Sequence, residues 1–129
     1  MRGFANFRIP FMPVSLALYA MEHFVKFPKD VDGDVLRRLL ESGLDFSYPQ
    51  SIDFNVDFKQ WPPSDQALKV LRNKFGDIGI YEPEDEDAGY VIFVVRSILT
   101  YELVMTTQKE ATELMAQFGG TCESWGILH

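Results

Sequence analysis

Two histidines, one cysteine and a run of carboxylates are the residues of this 129-residue chain whose types could do chemistry. His23 and His129 stand far apart, one in an apolar N-terminal stretch and the other at the last position. A histidine works as a base or ligand when a neighbouring group orients it, and lone histidines of this kind read as surface residues. Cys122 has no nearby histidine in sequence to activate it, so a buried structural thiol is expected rather than a nucleophile. As the single cysteine it also excludes an intrachain disulfide and a cysteine-based metal cluster. Five of the six residues from Glu82 to Asp87 are carboxylates. Their spacing matches no calcium loop, and the obligatory downstream glutamate is missing. A solvated hairpin loop is expected there. No catalytic residue, no metal site and no cofactor is therefore expected.

The remaining chemistry is that of binding. Gly89–Val94 superficially resembles the RNA-contacting strand of RRM domains, but Ala88 stands where a basic residue is needed and Ile92 where an aromatic would stack on a base. The formal net charge is −7, from 19 acidic and 12 basic residues. An acidic balance gives no footprint for nucleic acid or an anionic membrane surface. It is compatible with a basic protein partner. A reducing, cytoplasmic setting is expected.

The elements that must position these residues are organised around Ser51–Lys59. Ile52, Phe54, Val56 and Phe58 alternate with Asp53, Asn55, Asp57 and Lys59, the period of a strand with one buried and one wet face. Ahead of it, Asp32 is expected to cap a helix whose Val35, Leu36, Leu39 and Leu40 form an apolar stripe ending at Gly43. After it, Pro62, Pro63 and Ser64 open a second helix with Ala67, Leu68, Leu71 and Phe75 inward, closed by Gly76. A short strand over Ile78–Tyr81 precedes the acidic loop. The nearly continuous apolar run Tyr90–Val95 reads as a central strand covered on both faces. Thr107 and Glu110 form a capping-box pattern for a helix with Ala111, Leu114, Met115 and Phe118 inward, and a last strand spans Thr121–Leu128.

From residue 51 the order is strand, helix, strand, strand, helix, strand. This is an α+β, ferredoxin-like split β-α-β sandwich, with a four-stranded antiparallel sheet, the first and third strands central and helices on one face. Residues 1–28 are a separate Phe- and Pro-rich extension, and residues 29–129 the folded domain. Pro13 opens a short helix over 14–24. The apolar run Ile9–Met21 is too short and too broken by proline to span a bilayer, and Leu18 stands where a signal-peptide cleavage site needs a small residue. Met12 and Met21 are alternative starts.

Strand parity assigns an uncovered face. Asp53, Asn55 and Asp57 look out from the first strand, and Tyr90, Ile92 and Val94 share a side with Arg96 on the third. On the last strand, counting from Glu123 puts Trp125 and Ile127 on that same side, unless a bulge at Gly126 breaks the register. The result is an apolar, aromatic patch rimmed by acids. Such a patch takes a lid from the same chain, a second copy in a homodimer, or another protein. The candidate protein-binding residues are Asp53, Asn55, Asp57, Tyr90, Ile92, Arg96, Glu123 and Trp125.

The segment Val35–Phe46, the strand Ile52–Phe58 and the ending Phe118–Gly126 resemble the RraB family of small acidic bacterial proteins. The family's terminal Asp-Gly-Trp-Gly reads Glu123-Ser124-Trp125-Gly126 here, so the tryptophan and its glycine match. The resemblance implies a non-enzymatic cytoplasmic regulator of ribonuclease E, and so of RNA decay, that binds the enzyme rather than RNA. Known members carry a long acidic tail after the last strand, whereas this sequence ends at His129. The residues alone leave two other readings open: a module that neutralises another basic protein, and a small-molecule enzyme on the same fold.

Overall fold

A computed structural model of the chain describes residues 27–127; the helix expected over 14–24 and both histidines lie outside them. The elements are α1 (Val31–Glu41), β1 (Gln50–Phe58), α2 (Asp65–Phe75), β2 (Ile78–Tyr81), β3 (Tyr90–Ser97), α3 (Tyr101–Met115) with a 3-10 turn at Ala116–Phe118, and β4 (Gly120–Ile127). The sheet order is β2-β3-β1-β4 with every neighbour antiparallel. This is the split β-α-β arrangement expected from the element order, with β1 and β3 in the middle.

The inward half of β1 explains the core. Ile52, Phe54 and Val56 are fully buried. Their cross-strand partners on β3 are Val95, Phe93 and Val91, and directly opposed residues share a face of the sheet. Leu36 of α1, Ala67 and Leu71 of α2, and Val104, Ala111 and Met115 of α3 join these in one cluster. The three described helices therefore cover the same side. Phe93 stacks on Phe54 at 5.3 Å and on Phe75 at 3.8 Å between ring centroids. Among the described residues no helix is long and apolar enough to cross a membrane.

Three local expectations need correction. The cap of α1 is Asp30, not Asp32: its extended backbone precedes the helix, and its Oδ1 accepts the Gly33 amide at 2.7 Å. Asp32 lies inside the first turn, which frees its carboxylate for another contact. The third helix begins at Thr100, whose Oγ1 accepts the Leu103 amide at 3.0 Å, seven residues before the predicted Thr107 cap. Thr107 is buried in mid-helix, beside the Val104, Ala111 and Met115 stripe, where no free amide needs capping. Finally, β3 is covered on one face only by the described helices, and its Val94 is 45 % exposed. Among the described residues no second layer covers the outward side chains of its apolar run.

Asp30 does more than cap. Its Oδ2 accepts the Tyr101 hydroxyl at 2.6 Å, tying the start of α1 to the start of α3. That bond, with the Gly33 amide, holds the Asp30 carboxyl below its usual range, and it pushes the Tyr101 phenol up to about 12. A phenol whose pKa rises on folding contributes stability below its unfolded pKa of about 10 and loses it as pH climbs through the folded value. The clamp's contribution is thus expected to fade between about pH 10 and pH 12. Thermal melts of wild type and Tyr101→Phe check this, because the gap between them closes over that window if the bond is the cause. The Asp30 side of the bond fades in the opposite direction, as pH falls below the ordinary carboxylate range.

Candidate functional site

The face of the sheet away from the helices is built by register. Across β1 and β3 the outward pairs are Ser51 with Arg96, Asp53 with Val94, Asn55 with Ile92 and Asp57 with Tyr90. On the β2 side, Gly79 opposes Ile92 and Tyr81 opposes Tyr90. The Tyr81 and Tyr90 rings stack at 5.0 Å with planes 12° apart. Half of the face is thus aromatic and aliphatic, and the β1 half is acidic and polar.

Parity on β1 and β3 places Asp53, Asn55, Asp57, Tyr90, Ile92 and Arg96 together as the alternation predicted. Two polar groups are paired within the face: Arg96 Nη1 donates to Ser51 Oγ at 3.2 Å, and Asn55 Nδ2 donates to Asp57 Oδ1 at 3.0 Å. The Asp53 carboxylate has no hydrogen bond or ion pair among the described residues. Partial burial raises its carboxyl above the usual range.

Trp125 is a correction. β1 and β4 fall out of step between Asn55 and Val56, so Ser124 opposes Asn55 while Cys122 opposes Val56. Glu123 is the extra residue of a bulge, three positions before the site expected at Gly126. Counting parity from Glu123 therefore starts on the one residue outside the alternation. Beyond it, Trp125 opposes Phe54 and Ile127 opposes Ile52, both on the helix-covered side. There Trp125 Nε1 donates to Asp32 Oδ1 at 2.8 Å, and Gln108 Nε2 donates to Asp32 Oδ2 at 3.3 Å. Glu123 stays exposed at the β4 edge. In place of Trp125, the open face gains Tyr81, Ser124 and Gly126. Tyr81 could have been found by carrying the parity argument onto β2; the other two depend on the bulge.

The Trp125 and Asp32 contact borders a groove of about 430 Å³ between α3 and β4, lined by Gln108, Thr112, Cys122 and Glu123 among others. Thr112 Oγ1 accepts the Cys122 amide at 2.9 Å. The Cys122 side chain itself is buried, and burial first, with Asp57 and Glu123 behind it, pushes the thiol up to about 12. A thiol held protonated in this way is inert as a nucleophile. The acidic segment closes through paired backbone bonds between Glu84 and Asp87 at 3.1 and 2.7 Å, and its Glu82 Oε1 accepts Trp61 Nε1 at 3.0 Å. Among the described residues no three histidine, cysteine, aspartate or glutamate side chains gather as a metal-binding group.

Residues 29–127 match the family model described as RraB, Regulator of ribonuclease activity B. No curated protein matches the chain.

Proposed function

The chain belongs to the RraB family, and from that premise we propose that it is a non-enzymatic cytoplasmic protein that binds ribonuclease E and restrains RNA decay. The observation that carries the reading is the family match over residues 29–127, because the family is described as regulating ribonuclease activity. The binding surface we assign is the open sheet face, with Asp53, Asn55, Asp57, Tyr90, Ile92 and Arg96 as its described members. Its apolar half supplies area to bury, and the apolar core of a patch is what a protein partner desolvates. Its acidic half, with a net charge of −7 on the whole chain, favours a basic protein surface and repels a phosphate backbone.

The experiment is co-purification of the full chain with purified ribonuclease E, alongside cleavage of a defined RNA. Association at micromolar concentration with slowed cleavage is expected. If neither is seen, the reading is wrong.

A further inference from the structure

Resting on the reading that the open face contacts a protein, we propose that this face carries a notch for one cationic side chain of the partner, a lysine or an arginine. Asp53 supplies the anion and Gly126 supplies the space. The two residues are directly paired across β1 and β4. Directly opposed side chains lie about 5 Å apart on one face, so the missing side chain at 126 leaves a gap beside the carboxylate. A Cβ built on Gly126 meets nothing within 4 Å. On its other flank Asp53 pairs with Val94, which is 45 % exposed and offers an apolar wall for the methylenes of a lysine or arginine stem.

Charge narrows the occupant. The neighbouring polar groups are already engaged, Arg96 with Ser51 and Asn55 with Asp57. Arg96 is the nearest cation on the adjoining strand, and it turns to the serine instead of to Asp53. Asp53 is left partly desolvated and without a counter-charge among the described residues, and its raised carboxyl pKa has the same origin. A hard metal ion needs several oxygens, and the notch offers one carboxylate. A second copy of the chain would bring an identical acidic face against this one, since a two-fold contact is self-complementary. A cationic side chain on a partner satisfies both the charge and the shape.

Two variants of the full chain test this. Asp53→Asn removes the charge and keeps the size. Gly126→Val fills the notch at a residue whose φ is not positive, with a side chain that strands favour. Both are expected to melt no lower than wild type at pH 7. For Asp53→Asn the sign is fixed: a carboxyl whose pKa rises on folding costs stability once ionised, and the cost disappears as pH falls through the folded value. Each variant is expected to weaken binding to purified ribonuclease E by about tenfold or more. Titration of the chain with N-acetyl-arginine amide, followed by amide NMR, is expected to shift Asp53 and Gly126 in wild type and in neither variant.

Where wild type binds ribonuclease E, equal binding by both variants overturns the notch, as does a titration that leaves those two amides unmoved. Loss of ribonuclease binding by wild type, with the arginine shifts intact, overturns the ribonuclease reading and leaves the notch standing. If the variants instead change the sedimenting mass of the chain and not the arginine shifts, the occupant is a second copy and the proposal fails.

Discussion

Phe93→Ala is expected to lower the unfolding free energy by about 3–5 kcal/mol, the range for truncating a buried aromatic. Phe93 is fully buried. Its ring lies between Phe54 at 5.3 Å and Phe75 at 3.8 Å, so its removal leaves one void shared by β1, β3 and α2. Partial collapse will not close it, because Phe54 is pinned by pairing to both β3 and β4. Domains of this size are stable by only about 5–15 kcal/mol, so the loss takes a large share of the total. Urea denaturation measures it as a lower midpoint at unchanged slope. Phe93→Leu, which refills most of the volume, should cost clearly less. Equal losses for the two would mean that ring stacking rather than volume is what matters there.

The second large effect is at Gly33, where two physical arguments give opposite signs. Gly33 lies in the first turn of α1. Helix propensity alone predicts that Gly33→Ala stabilises by about 1 kcal/mol. The packing predicts the reverse, since a Cβ at this position would fall on the carbonyl oxygen of Pro28. That carbonyl is main chain and has no rotamer to escape into. It is also held in place: Arg37 Nη2 donates to Pro28 O at 3.1 Å, and Nη1 donates to Phe27 O at 2.7 Å. Overpacking against fixed atoms costs about 1–3 kcal/mol or more, and backbone against backbone belongs at the upper end. A net loss of about 2 kcal/mol is expected for Gly33→Ala. Thermal melts decide it, and a variant more stable than wild type would show that the Phe27–Pro28 segment gives way freely.

How much of this was legible beforehand follows from the range of each signal. The order of the elements could be read because alternation in Ile52–Phe58, the Ser64 cap and the Gly76 stop are all local. The start of the third helix is not legible in the sequence, because Thr107 and Glu110 satisfy a capping pattern by type. The helix is already running there: Thr100 caps it seven residues earlier, and Thr107 is buried in mid-helix. Asp32 suits a cap by residue type, but the Gly33 amide goes to Asp30, and Asp32 meets Trp125, a partner distant in sequence.

By itself the sequence determined the split β-α-β fold and the outward row Asp53, Asn55 and Asp57, because strand periodicity needs no knowledge of the rest of the chain. The tertiary structure decided what stands beside that row. One extra residue at Glu123 turns Trp125 and Ile127 under the helices and brings Gly126 opposite Asp53. A bulge depends on how two strands pair, and pairing is a property of the folded sheet rather than of either strand alone. Trp125 thus braces α1 through Asp32, and the acidic strand keeps the open face.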